Sequence, residues 1–426
     1  MRILLVNANT FSNPPCIPIG VEYAAAALRA HGHAVGVCDL WPHPSPLEEL
    51  LRRLDAEEHD LAGVSFRNLD TAQAARYINF VPDLRAIVEE LQKRGLPVIL
   101  GGSGFQAMPR EALDYTGAEF GIDGPADLAL PRFVAQFEAA RSAWMGAPAE
   151  ARIVNAHVMG INPDFVPERA VDIYYPAYIA KGSVAGFATQ YGCGGACEYC
   201  VETRAAHHMR NPAAVAAELK ALCAQGFDDY HLCDAEFNIN LEHCHGVLDS
   251  MAGARLSMRW ALYMKPVPCD AALLDGLRRT GAYLVTLSVD SAAPARGQYS
   301  WDDVSFALDG LRDRSVKCAV DLTVGLPGED IGGVRRAIEF FRAARPEKVN
   351  VNAYLRVYGG TRLEALLRSQ PELHAHLDDE LPPGPPLFRL FYNQLPLPEL
   401  KAMLGDDPVF KLEGFDRGTN YELFHD

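Results

Sequence analysis

Gln190-Tyr-Gly-Cys193-Gly-Gly-Ala-Cys197-Glu-Tyr-Cys200 places three thiols within eight residues of a glycine-rich stretch. It follows directly on Val184 to Thr189, an apolar run that reads as a strand. Three thiolates converging from one loop can hold three corners of an iron-sulfur cube, and the glycines let the backbone wrap it closely. No fourth cysteine stands at a matching spacing, which leaves one iron open, and an open position separates a catalytic metal centre from a closed structural one. Ligand spacing alone also allows a structural zinc site completed by His207 or His208, just behind the loop.

Outward from this loop, Gly182 begins an alternating series. Strands are expected at Val184 to Thr189, Asp229 to Cys233, Ser257 to Met264, Ala282 to Val289, Lys317 to Val324 and Lys348 to Tyr354. Helical stretches such as Ala213 to Gln225, Ala271 to Thr280 and Gly333 to Ala343 lie between them. Six strand-helix units fit an incomplete barrel better than an open sheet, since the closed form wants eight.

The amino-terminal part alternates too. Arg2 to Val6, His33 to Asp39, Leu61 to Ser65 and Pro97 to Leu100 read as strands, the last of them entering Gly101-Gly102-Ser103-Gly104. Such alternation predicts an open parallel α/β sheet wound on both faces, of Rossmann type. Ligands of these sheets bind at the carboxyl ends of the strands, here Asn7 to Ile19, Ser65 to Asp70 and Gly101 to Phe105. The expected organisation is therefore a doubly wound domain over 1–141, a connection over 142–181 marked by Asn162-Pro163, Val166-Pro167 and Tyr175-Pro176, a partial (β/α)6 barrel over 182–365, and a Pro-rich loop and tail over 366–426.

Composition narrows the function. The 426 residues carry 39 Lys and Arg against 55 Asp and Glu, a formal net charge of −16, with 49% hydrophobic residues. That excludes a disordered chain, and the length suggests two or three domains. The acid excess, without a run of five or more Lys/Arg, argues against nucleic acid or an anionic membrane as partner and favours a small-molecule or peptide substrate. No signal peptide and no apolar run of roughly eighteen residues is present, so the chain reads as cytoplasmic, its ten cysteines kept as thiols.

C-x3-C-x2-C with Tyr199 just before the last cysteine, at the end of the first strand of a strand-helix series, resembles the radical S-adenosylmethionine (SAM) superfamily. The resemblance implies a 4Fe-4S cluster on Cys193, Cys197 and Cys200, with the amino and carboxylate groups of SAM on the open iron and a reductant such as flavodoxin or ferredoxin. It also implies roles for later segments. Asp234-Ala-Glu236-Phe-Asn238 stands where the family places an acid near the SAM amino nitrogen, with Glu236 the candidate, or else a solvated turn acid. Ser288 and Asp290 stand where polar side chains take the ribose hydroxyls, or serve as strand-end caps. Gly325-Leu-Pro-Gly328-Glu329 looks like the turn beside the adenine, or a plain strand-to-helix turn. Arg356-Val-Tyr-Gly-Gly-Thr361 resembles a segment written Arg-x-Tyr-Pro-Gly-Thr in cobalamin-linked members, with Gly359 in place of proline.

A doubly wound sheet ahead of such a barrel looks like the cobalamin-binding class of the superfamily. The resemblance puts the corrin at the carboxyl edge of the sheet, by Arg67, Asn68, Gly101, Gly102 and Ser103, facing the cluster. The Asp-x-His-x-x-Gly motif that supplies a lower cobalt ligand is absent, so histidine ligation in that form is not expected. Arg67 could face the cobalt or corrin, or pair with Asp70; the domain could also keep the fold without the cofactor. The implied activity is cobalamin-dependent methyl transfer: one SAM recharges the cobalt, and another yields a 5′-deoxyadenosyl radical that activates an unactivated carbon. The alternative is a cobalamin-free radical SAM enzyme that moves a 3-amino-3-carboxypropyl group to sulfur or arsenic.

Overall fold

The computed structural model describes residues 1–412 apart from Asn13. It divides into two compact units, residues 1–71, 78–186 and 205–210 in the first and 72–77, 187–204 and the residues from 211 onward in the second. The final stretch of the expected tail, 413–426, lies outside the described residues.

The first unit runs β1 (Arg2–Asn7), α1 (Ile19–Ala30), β2 (Ala34–Asp39), α2 (Pro46–Ala56), β3 (Leu61–Ser65), α3 (Val81–Lys93), β4 (Val98–Gly101), α4 (Ser103–Ala107), α5 (Pro109–Thr116), β5 (Phe120–Asp123), α6 (Ala126–Ala139), α7 (Arg141–Met145), β6 (Ile153–Asn155) and α8 (Tyr175–Ile179). Its six strands form one sheet in the order β2-β1-β3-β4-β5-β6, all pairings parallel. Ile3 to Val6 are all buried, the continuous apolar run of a parallel strand covered on both faces. On one face α1 packs against α6, and on the other α3 packs against α2 and α5.

The sheet extends beyond the last strand expected from the sequence. β5 and β6 are four and three residues long, too short to show a period, and β6 falls in the stretch read as a connection. Gly121 in β5 lets the Phe105 ring lie on the strand; a Cβ there would stand 2.0 Å from the ring. Phe120, one residue earlier, points to the opposite face and packs there against Phe133 and Phe137, with centroids 5.2 and 5.5 Å from its own.

The second unit supplies β7 (Ala185–Phe187, which it shares with the end of the first), β8 (Gln190–Tyr191), α9 (Pro212–Ala224), β10 (Asp229–Leu232), α10 (Leu241–Gly253), β11 (Arg259–Met264), α11 (Ala271–Arg279), β12 (Ala282–Asp290), α12 (Trp301–Asp313), β13 (Lys317–Thr323), α13 (Ile331–Ala344), β14 (Lys348–Asn352), β15 (Leu355–Arg356), α14 (Arg362–Ser369), β16 (Phe391–Tyr392), α15 (Leu397–Leu404) and β17 (Phe410–Leu412); β9 (His208–Met209) precedes α9 in the chain. The sheet order is β17-β14-β13-β12-β11-β10-β7. All six strands expected for the barrel are present, in six strand-helix units. A seventh strand, β17, comes from the tail and pairs in parallel with β14. Its three residues follow a proline-broken stretch that gives no strand signal.

Helix starts differ between the units. Asn211, Asn240, Asp270, Ser300, Asp330 and Thr361 each cap a helix of the second unit by accepting a backbone N–H, with a full capping box at Ser300 and Asp303. In the first unit α2, α3, α5 and α8 open instead on a proline in the first turn. Among the described residues no helix is long and apolar enough to cross a membrane.

One buried ionic network holds α1 to the end of the first unit. Arg169 Nε donates to Glu22 Oε2 at 2.8 Å, Tyr175 donates to the same oxygen at 2.6 Å, and the Ala170 N–H donates to Oε1 at 2.7 Å. Both charged side chains are almost fully enclosed, at 1% and 3% exposure. Removing one partner of such a pair leaves a bare buried charge, a loss of about 3–5 kcal/mol. Glu22→Ala is expected to lower stability by about that amount in urea unfolding followed by circular dichroism, and Glu22→Gln, which keeps an acceptor, by less. A loss below about 1 kcal/mol for Glu22→Ala would show that the network carries little of the fold.

Candidate functional site

At the carboxyl end of the second unit's sheet, the thiol loop leaves β8 and is tied down from several strands. Asp234, just past β10, accepts the backbone N–H of Thr189 at 2.7 Å and of Gln190 at 3.2 Å, and also the Thr189 hydroxyl. Gln190 Nε2 donates to the carbonyls of Glu236 and Phe237 at 2.6 and 3.0 Å. Phe237 and Phe187 pack edge-on against the buried Trp260, each at 5.8 Å between centroids. The loop therefore starts from a rigid aromatic and hydrogen-bonded floor.

Within the loop, the Gly195 N–H donates to Cys193 Sγ at 3.3 Å and Lys265 Nζ lies 3.6 Å from Cys197 Sγ. Both are donors suited to thiolate sulfur. Burial raises all three thiols above their ordinary range, that of Cys200 to about 12, and the cysteines raise one another. Thiolates there need a positive charge such as bound iron. Among the described residues no three Cys, His, Asp or Glu side chains gather as a single ion would need, and His208 Nε2 is bonded to the His157 carbonyl at 2.9 Å. A set of three thiols on a loop with N–H donors aimed at sulfur fits a cluster's corners better than one tetrahedral ion.

Near the thiols are Glu236, Asp290 and Lys265, with Ser288 bonded to Glu236 and Tyr199 of the loop itself bonded to Asp290. Glu236 is buried and its Oε2 has no hydrogen-bond partner. Burial lifts its carboxyl to about 7, against the pull of Lys265 and a Ser288 hydrogen bond. Tyr199 donates to Asp290 Oδ1 at 2.9 Å and stands 3.4 Å from the Thr323 hydroxyl. Burial, then Asp290, holds the Tyr199 hydroxyl well above its usual range, so it stays a donor.

The remaining candidates have local tasks. Asn238 is fully buried and gives its whole amide to the backbone of Lys265 and Pro268. Glu329 closes its own turn by accepting the Gly325 N–H at 2.7 Å, the Leu326 N–H at 3.2 Å and the Ser291 hydroxyl. Gly325 has φ 82°, and a Cβ there would stand 2.7 Å from Asn393 Oδ1, whereas Gly328 faces open space. Arg356 is buried and turned to the Pro-rich loop: it donates to the Leu387 carbonyl at 2.9 Å and packs over the Tyr358 ring. In that position it ties the carboxyl-terminal loop rather than standing among the acids that face the thiols.

In the first unit, the chain order reverses between β1 and β3, the switch point where doubly wound sheets take ligands. Arg67 follows β3 and is exposed, and its guanidinium makes no ion pair or hydrogen bond among the described residues; no pair with Asp70 forms. Ser103 Oγ donates to the Arg67 carbonyl at 2.8 Å, so β4's loop fixes the backbone that carries the guanidinium. Gly102, with φ 93°, sits where a Cβ would be 2.5 Å from the Phe66 carbonyl oxygen, so the two loops touch backbone to backbone. Asn68 is half-buried beside them, and Gly101 ends β4.

Comparison with known proteins matches residues 9–134 to the B12 binding domain family. Tryptophan 2-C-methyltransferase of Streptomyces laurentii is 25% identical over 79% of this chain and 69% of its own length. The chain is thus similar in sequence to a methyltransferase, and its residues 9–134 match a B12-binding domain. Two structures of the radical SAM methyltransferase TsrM from Kitasatospora setae share its fold. One, with cobalamin and a 4Fe-4S cluster bound, gives a TM-score of 0.88 at 24% identity over 97% of this chain and 93% of that one. The other, with tryptophan and the SAM analogue aza-SAM, gives 0.86 at 23% identity over 99% and 93%. The fold class read from the sequence, a doubly wound sheet and then a partial barrel, is the one observed.

Lys265, whose Nζ lies beside Cys197 Sγ, is a side chain of this site that sequence reasoning missed. Its signal is positional: it is the first residue past β11, at the strand end where barrel enzymes place their chemistry.

The Glu236 value has a measurable consequence. Its folded pKa, about 7, lies above the ordinary carboxyl value near 4.5, so the group stabilises the fold below its unfolded value and that contribution is lost as pH rises through 7. In the cofactor-free chain, the stability of Glu236→Gln relative to wild type should rise between about pH 4 and 8 by about 3 kcal/mol. A pH-independent difference in urea midpoints would show that the carboxyl is not buried as described.

Proposed function

We propose that this protein transfers a methyl group from SAM, by way of cobalamin, to a carbon of a small aromatic molecule of the tryptophan type. The observation that carries the proposal is the presence in one chain of a B12-binding domain over 9–134 and a loop of three donor-facing thiols at Cys193, Cys197 and Cys200. The substrate class rests on the relatives, one named as acting on C2 of tryptophan and one holding tryptophan.

When bound, cobalamin supplies a carrier for the methyl group, SAM its source, and the cluster a site for one-electron chemistry fed by a donor such as flavodoxin or ferredoxin. Cys193, Cys197 and Cys200 hold the cluster. The unpartnered Oε2 of Glu236 is an acceptor for the SAM ammonium. Ser288 and the free Oδ2 of Asp290 serve the ribose hydroxyls, with Tyr199 fixing the other Asp290 oxygen. Gly328, open on its Cβ side, admits the adenine, while Gly325 and Glu329 set the turn's shape. Arg67, held out by Ser103 and lacking a protein partner, faces cobalamin with Asn68, Gly101 and Gly102.

Ionised Glu236 is the form that binds an ammonium, so SAM binding should release a proton below pH 7 and tighten as pH rises toward 7. Calorimetry in buffers of different ionisation enthalpy checks this; Glu236→Gln should weaken binding and abolish the proton release. Arg67→Ala should weaken cobalamin binding at least tenfold, followed by corrin absorbance, with the iron content unchanged.

The decisive experiment is mass spectrometry of SAM products from the anaerobically reconstituted chain with tryptophan, with and without cobalamin. S-adenosylhomocysteine together with methylated acceptor, only when cobalamin is present, is the expected result. Methylthioadenosine formed without cobalamin would overturn the proposal in favour of aminocarboxypropyl transfer.

A further inference from the structure

Lys265 is held unusually firmly for a lysine. Asn238 Oδ1 accepts its backbone N–H at 2.9 Å, and Asn238 Nδ2 donates to its carbonyl at 2.8 Å and to the Pro268 carbonyl at 2.7 Å. The chain leaving β11 thus cannot swing without breaking three bonds to a buried amide. From this anchor Nζ reaches 3.6 Å from Cys197 Sγ. Among the described residues that sulfur is its single hydrogen-bond partner, and it forms no ion pair with a carboxylate.

The groups of opposite or potential negative charge that face it are Cys197, Asp290, Glu236 and Tyr299. A half-buried cation whose one acceptor is a thiol is best compensated when that sulfur carries negative charge. A cluster ligand does so.

We propose that Lys265 is the cation that sets the reduction potential of the cluster, by donating a hydrogen bond to the Cys197 sulfur. This rests on the reading of Cys193, Cys197 and Cys200 as cluster ligands. On reduction the oxidised cluster takes one electron from a low-potential donor of the flavodoxin or ferredoxin class, no atom or proton moves, and its net charge falls by one. A fixed positive charge and an N–H···S bond stabilise the more negative state, so the potential rises and the electron enters more readily. Glu236 and Asp290 work in the opposite sense on the same centre, and Lys265 is the cation that offsets them.

The test uses the full chain, reconstituted anaerobically and titrated with titanium(III) citrate and mediators without SAM, with the reduced cluster counted by electron paramagnetic resonance. Lys265→Met and Lys265→Gln should bind the wild-type amount of iron. At the potential where the wild type is half reduced, their ratio of reduced to oxidised cluster should fall at least tenfold, and Lys265→Arg should return it to within about threefold. Loss of iron from both neutral variants with wild-type circular dichroism, while Lys265→Arg loads normally, also supports a charge acting at the cluster. Loss from all three variants overturns the proposal, because position and not charge would then matter. An unchanged ratio in Lys265→Met overturns it as well, and an accompanying loss of SAM affinity would assign the ammonium to the SAM carboxylate. A wild-type chain that assembles no 4Fe-4S cluster would remove the ligand reading itself, a result distinct from an unchanged potential.

Discussion

A loop that presents three thiols on a glycine-rich backbone cannot fix its own shape, so its shape must be imposed by hydrogen bonds from its surroundings. Asp234 grips the backbone at Thr189 and Gln190 on the way in. Further along, the Leu363 N–H donates to the Glu198 carbonyl at 2.9 Å, and Arg204 beyond the last cysteine donates to the Gly359 carbonyl at 2.8 Å. The segment Arg356 to Thr361 thereby works as a brace. Its glycines bring backbone close to the Arg204 guanidinium, and its arginine holds the Pro-rich loop behind it. With the loop's ends and middle clamped, the sulfurs can be pre-set for a cofactor instead of being ordered by it, which lowers the entropy lost on binding.

The electrostatics follow from the same confinement. Enclosing three thiols, two acids and two tyrosine hydroxyls beside one ammonium drives every acidic proton upward in pKa where a shift is resolved, because each anion would face both burial and its neighbours. Such a site favours the protonated forms of its three thiols and of Glu236. Loading it with a cationic centre reverses the balance: thiolates become favourable, and an ammonium-bearing ligand favours ionised Glu236. Proton release on loading is built into the donor set.

What the sequence disclosed and what it hid divide along physical lines. The thiol loop and the six expected strands of the second unit carry their signal locally, in spacing and in runs such as Leu284 to Val289, and these were legible. β5, β6 and β17 were not: β6 falls in an aperiodic stretch, β17 follows a proline-broken one, and each forms because a neighbouring strand pairs with it. The role of Arg356 was obscured for a related reason. Its partners Pro386 and Leu387 lie some thirty residues on, in a stretch with no periodic pattern, and only tertiary packing brings them together. Asn238 read as part of an acidic motif, but its amide serves a backbone turn after the next strand.

Each unit holds one cation just past the carboxyl end of a parallel strand, and the two are held differently. Arg67 is exposed, so water solvates its charge and its lack of a protein partner carries little energetic cost; its meaning lies in the position at the switch point and in the loop of Gly102 and Ser103 that fixes its backbone. Lys265 is half-buried, so its charge is less well solvated and calls for compensation from the groups around it. An exposed, pre-positioned guanidinium suits a large ligand that arrives and leaves intact, because it can recognise without committing the fold to the ligand's presence. A half-buried ammonium directed at a thiol suits a centre built in once and kept, because the empty form bears the strain until the negative sulfur is in place. Under the roles proposed above, the difference in burial between the two cations matches the difference between an exchangeable partner and a resident one.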